Sequence, residues 1–128
     1  MNKNLLLTVI IFLILLFFSF KERSERCHQT VLWEQGVGKY NNYRIPALIV
    51  TNKGTLLAFC EGREAGDTGD INLLLKRSED NGRTWSDEQV VWDDVDNTCG
   101  NPCPVVDEDT GRIWLFACWN NGKDKEND

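Results

Sequence analysis

Histidine is all but missing from this 128-residue chain, His28 being the only one. That scarcity removes a histidine-based nucleophile relay and a histidine-rich zinc site from the chemistry to consider. Positive charge is also short: 14 Lys and Arg against 20 Asp and Glu leave a net charge of −6. A nucleic-acid partner is not expected, because neutralising phosphates requires a basic face. A local anion site stays open wherever arginines converge. Tyrosine is scarce, with only Tyr40 and Tyr43. The five cysteines (Cys27, Cys60, Cys99, Cys103, Cys118) are an odd number, so at least one lacks an intrachain partner. No histidine follows Cys99-x-x-x-Cys103, so this is not a zinc knuckle. The cysteines read as small buried apolar residues; a disulfide is open if the chain is exported, but the spacing assigns no pair.

What is present is ordinary for a single small globular unit, with 41% hydrophobic and 27% charged residues. Residues 5–20 form an apolar run interrupted only by Thr8 and Ser19, preceded by Lys3 and followed by Lys-Glu-Arg. Its length suits a secretory leader and falls short of the roughly 20 residues of a spanning helix. With no small-x-small cleavage site at its end, residues 1–26 read as a signal peptide or an uncleaved signal anchor. Membrane attachment through residues 5–20 belongs to the second reading. Either way the chain is expected to be secreted or anchored at the cell surface.

From Val31 the pattern changes to short apolar runs between turn residues, which predicts an all-β fold. Strands are expected at Arg44 to Thr51, Thr55 to Cys60, Ile71 to Ser78 and Thr84 to Trp92. Asn52-Lys53-Gly54 and Asp80-Asn81-Gly82 supply the tight turns. A second unit is expected from Pro104 to Val106, turning at Asp109-Thr110-Gly111 into Arg112 to Trp119. Four antiparallel strands in about 50 residues are the size of one β-propeller blade. Residues 27–128 therefore read as about one and a half blades after an N-terminal apolar helix.

Three motifs stand in order. Ser78-x-Asp80-x-Gly82-x-Thr84-Trp85 is a self-locking turn, in which the Asp80 carboxylate accepts backbone N–H groups and Trp85 covers the loop. Tyr43-Arg44-Ile45-Pro46 opens a strand, and Glu61-Gly62-Arg63 follows one, ahead of the carboxylates of Asp67-Thr68-Gly69-Asp70-Ile71. Together they resemble the exo-α-sialidase (neuraminidase) family with its BNR or Asp-box repeats. Asn101-Pro102-Cys103-Pro104-Val105 and Thr110-Gly111-Arg112-Ile113-Trp114 extend the resemblance over Val31 to Trp119.

The resemblance implies a six-bladed propeller and a retaining hydrolase. Its reaction would remove terminal α-linked sialic acid from glycoproteins, glycolipids and oligosaccharides. The substrate carries a carboxylate at its anomeric carbon, which would repel a carboxylate nucleophile, so the family uses a tyrosine activated by a glutamate. Three arginines clamp the substrate carboxylate, and Arg44 matches the first of them. Arg63 matches the arginine near the 4-position of the ring, and Asp67 the acid that protonates the leaving oxygen. Asp70 is the nearest rival and is grouped with the substrate-binding residues, although its place beside the strand suits tying the strand's start. Asn101 falls where the family lines the pocket for the N-acyl group, and Glu61 is placed to orient a neighbouring arginine. No metal or organic cofactor is called for, and the partner expected is a sialylated glycan.

The departures weigh as much. Both tyrosines precede Arg44, so the nucleophilic tyrosine, its glutamate and two clamp arginines are expected beyond Asp128. The alternative reading is a non-catalytic Asp-box propeller used for glycan binding or adhesion.

Overall fold

The structure, a computed structural model, describes Asn2 and residues 29–124. The expected leader or anchor and its apolar helix lie outside the described residues, as does Cys27. Six strands follow one another: β1 (Asn42–Val50), β2 (Leu56–Arg63), β3 (Ile71–Ser78), β4 (Gln89–Trp92), β5 (Thr98–Val106) and β6 (Ile113–Asn120). The first four form an antiparallel meander, with β4 on β3. β5 and β6 form a second antiparallel hairpin, joined to the first unit by one parallel bridge, Ile71 to Thr98. The expected all-β fold, a blade followed by half of the next, is borne out.

The core lies on the middle strands. Leu57, Ala58, Phe59 and Cys60 of β2 and Ile71, Leu73 and Leu74 of β3 are buried. Both are inner strands, paired along both edges, and Ile71 to Leu74 are buried in an unbroken run rather than in alternation. Tyr40 packs with Cys60 and Leu74, and Trp33 and Tyr43 lean on this cluster. The segment before β1 is strapped to the sheet: Trp33 Nε1 donates to Glu88 at 2.8 Å, and Lys76 Nζ donates to the Leu32 carbonyl at 2.5 Å. Burial pushes the Cys60 thiol up to about 12. Cys103 and Cys118 are exposed, which corrects the expectation that all the cysteines are buried.

The turn at 78–85 takes the form its residues dictate. Asp80 Oδ1 accepts from Ser78 Oγ and from the Thr84 N–H, each at 2.8 Å, and Oδ2 accepts from Thr84 Oγ1 at 2.6 Å. Ser78 Oγ in turn accepts the Gly82 N–H at 2.8 Å, and Gly82 has φ +82°. Trp85 Nε1 donates to the Gly82 carbonyl at 3.2 Å. The same aspartate–threonine clasp recurs between β5 and β6, where Asp107 Oδ2 accepts from Thr110 Oγ1 at 2.6 Å.

Three strand boundaries differ from expectation by three residues or more. β4 begins at Gln89 rather than Thr84, because residues 84 and 85 are bound into the turn and the Ser86 hydroxyl receives the Arg77 N–H. β2 continues through Glu61-Gly62-Arg63, which pair with Leu73, Asn72 and Ile71. Gly62 is required there, since a Cβ would lie 2.6 Å from both Leu74 Cδ1 and Tyr40 Cδ2. β5 begins at Thr98 rather than Pro104, and Pro102 is accommodated by a bulge between Gly100 and Cys103.

Candidate active site

Period-two geometry puts Glu61 and Arg63 on one face of β2, and Arg44 stands directly across from Glu61 on β1. Immediately after Arg44 the register slips, with Ile45 at φ +53°. A β-branched residue in that region is strained, and such bulges re-aim side chains beside functional sites. A second bulge faces it on β5, with Asn101 at φ +54°. Between the two bulges lies a cleft of about 220 Å³ lined by Arg44, Glu61, Arg63, Asp67 and Asn101 among others. A larger groove of about 670 Å³, lined by Trp33, Pro46, Phe59 and Trp85, is mostly apolar. Charged groups converge in the smaller cleft.

Glu61 organises that cleft. Its side chain is 2% exposed and that of Arg63 8%. Glu61 Oε2 accepts from Arg63 Nε at 2.7 Å and also from Arg63 Nη2, a two-point contact that fixes the plane of the guanidinium. Glu61 Oε1 accepts the Asn101 backbone N–H at 2.7 Å, tying the second hairpin to the first blade. The approach needs Gly100, where a Cβ would lie 2.6 Å from Glu61 Oε1.

Asp67 sits on the loop after β2, with 54% of its side chain exposed. Its Oδ1 accepts from Arg44 Nη1 at 2.5 Å and also from Arg63 Nη1. Arg63 Nη1 donates to the Gly66 carbonyl at 3.1 Å as well, and Thr98 Oγ1 donates to the Gly69 carbonyl at 3.0 Å. These bonds hold the loop at both ends. The hydrogen bond from Arg63, followed by the charge of Arg44, holds the Asp67 carboxyl below the usual carboxylate range. Burial opposes the Arg63 charge, but hydrogen bonds to Glu61 and Asp67 outweigh it and raise the guanidinium's pKa above its ordinary value.

Of the residues expected from sequence, Arg44, Arg63, Asp67 and Asn101 come together. Asp70 does not line the cleft; its Oδ1 accepts from Asn72 Nδ2 at 2.8 Å at the start of β3. Thr98, Cys118 and Asn120 line the cleft without having been expected. Cys118 stands opposite Gly100, a register visible only once β5 is known to begin at Thr98. Neither tyrosine lines the cleft: Tyr40 is buried in the core, and the Tyr43 hydroxyl donates to the Val37 carbonyl.

A four-stranded blade locked by an aspartate turn, with arginines gathered at one rim, defines a portion of an Asp-box β-propeller. The comparisons make the membership specific. The BNR repeat-like domain matches residues 54–128, and the chain belongs to that family. The exo-alpha-sialidase of Aspergillus fumigatus is 44% identical over 103 residues, covering 70% of this chain and 25% of the fungal protein. The sialidase of Micromonospora viridifaciens is 42% identical over 89 residues, covering 63% of this chain and 13% of that protein. Among solved structures, the Hadza microbial sialidase Hz136 aligns with a TM-score of 0.61 at 33% identity, covering 66% of this chain and 19% of that one. The sialidase resemblance expected from the ordered motifs is borne out, and the chain spans a quarter or less of the length of these relatives.

Proposed function

We propose that this chain forms the acid-bearing part of a retaining exo-α-sialidase acting on terminal α-linked sialic acid of glycoproteins, glycolipids and oligosaccharides. The observation that carries this reading is the convergence of Arg44, Arg63 and Asp67 on one cleft beside Asn101. In this reading Arg44 receives the substrate carboxylate, whose two oxygens match the guanidinium fork. Arg63, its plane fixed by Glu61, faces the ring near the 4-position, and Asn101 faces the N-acyl group. Asp67 gives its proton to the leaving glycosidic oxygen and afterwards takes one from the attacking water. Its solvent exposure supports the second step. Asp70 braces the acid loop where it enters β3 and acts on the substrate only through that loop. Arginine and carboxylate chemistry suffices for these roles, so no metal or organic cofactor is assigned. Residues 1–26 are assigned to export, as a leader or anchor, which puts the site outside the cytoplasm.

The nucleophile is not assigned to this chain, because neither tyrosine lines the cleft. By itself the chain is therefore expected to bind sialic acid without cleaving sialosides. The catalytic assignment is tested by grafting residues 29–124 into the Aspergillus fumigatus sialidase in place of its matching segment. The graft should hydrolyse a fluorogenic sialoside, and Asp67→Asn within it should lower turnover by about 10²- to 10⁴-fold, the range of a positioned general acid. A folded, active graft indifferent to Asp67→Asn would refute the role of Asp67.

A further inference from the structure

In the described structure the acid and the clamp are not separate. One oxygen of Asp67 receives hydrogen bonds from both Arg44 and Arg63, so an internal carboxylate already lies on the Arg44 guanidinium. Arg44 and Asp67 are each about half exposed, at 53% and 54%, whereas Arg63 is buried and doubly held by Glu61. The Arg63 contact is the fixed one and the Arg44 contact the exchangeable one. Neutral chemistry at Asp67 is blocked while both contacts persist, because a carboxylate between two guanidiniums has no reason to take a proton.

We infer that Asp67 stands in for a ligand carboxylate on Arg44, and that a carboxylate ligand binds by displacing it, thereby releasing Asp67 to take up a proton from solvent. The inference rests on the sialidase reading for its substrate but on geometry alone for the exchange. Binding and arming of the acid become one event: the anion that needs the acid is the anion that frees it. The charged and titratable groups around Asp67 are Arg44 from β1 and Glu61 and Arg63 from β2. Cys118 from β6 and Asp124 line the same cleft. Of these, only Arg44 is both exposed and bonded directly to Asp67, so the exchange centres on it.

The exchange has a signature that a purely structural ion pair lacks. Trifluoroacetate, a carboxylate that stays ionised across the accessible pH range, is titrated into the full chain in non-ionic detergent and followed by fluorine NMR. The Asp67 carboxyl carbon is followed in parallel by carbon NMR. The midpoint of Asp67 should rise when trifluoroacetate is present, and trifluoroacetate should bind more tightly as pH falls through the carboxylate range. Asp67→Asn should bind it about tenfold more tightly at neutral pH, the equivalent of one pKa unit, and lose the pH dependence. An unmoved Asp67 midpoint with pH-independent binding would overturn the exchange, and this arm needs no variant to fold. Exchange by trifluoroacetate with no preference for N-acetylneuraminate would leave the exchange standing and remove the sialidase reading.

Discussion

Glu61 carries the site at the scale of single residues. It is a buried carboxylate with three hydrogen bonds, two to Arg63 and one to the backbone of β5. Removing one partner of a buried pair leaves the other uncompensated, at a cost of about 3–5 kcal/mol. Glu61→Ala should therefore bring the chain close to unfolding in a urea titration, since domains of this size have about 5–15 kcal/mol in all. Gly100→Ala should act on the same bond from the other side. Its new methyl group meets Glu61 Oε1 at 2.6 Å, so the hairpin must move or the bond must break. A loss of about 1–3 kcal/mol is expected, as in other overpacked sites. Unchanged denaturation midpoints for both variants would show that this bond network does not hold the hairpin. Sequence alone made Arg44, Arg63 and Asp67 legible, because each sits in an ordered motif. The reach of Glu61 to Asn101 was not legible, since it spans 40 positions and depends on where β5 starts.

The turn at 78–85 is the clearest case of an element written in its residues. Each of Ser78, Asp80, Gly82, Thr84 and Trp85 makes the contact its type suggests. Hydrogen bonds from the Thr84 hydroxyl and the Thr84 N–H, then from Ser78, hold the Asp80 carboxyl at about 2. A folded-state value below the unfolded one means the bonds stabilise the fold above the ordinary carboxylate range and are lost on acidification. Asp80→Asn should thus lower the melting temperature at neutral pH, and the gap from the parent should close between about pH 4 and pH 2. A gap independent of pH would assign the effect to something other than the ionised carboxylate. The strands were less legible where turns intrude on them. Expecting β4 from Thr84 counted turn residues as strand, and expecting β5 from Pro104 left Pro102 outside a strand in which a bulge absorbs it.

At the scale of the whole molecule, the two units meet along a seam, and the active-site candidate lies on it. Arg44, Arg63 and Asp67 come from the blade, while Asn101, Thr98 and Cys118 come from the hairpin. The outer strand of that hairpin is apolar and open: Trp114, Phe116 and Trp119 of β6 are about half exposed or more, and β6 carries no charged residue to blunt its edge. The purified chain should therefore self-associate, and Phe116→Lys should raise the monomer fraction in sedimentation velocity; an unchanged distribution would place the contact elsewhere. The blade was legible from the spacing of turns, whereas the seam was not, because it is made by side chains from segments far apart in sequence. The central claim is that this seam receives the carboxylate of sialic acid. It is tested most directly by titrating the full chain with N-acetylneuraminate and with its methyl ester, following the side-chain resonances of Arg44 and Arg63. The acid should bind through both arginines, and the ester, having lost the charge, should bind at least about tenfold more weakly, the equivalent of about 1.4 kcal/mol. Equal binding of acid and ester, or shifts that bypass Arg44, would contradict the assignment.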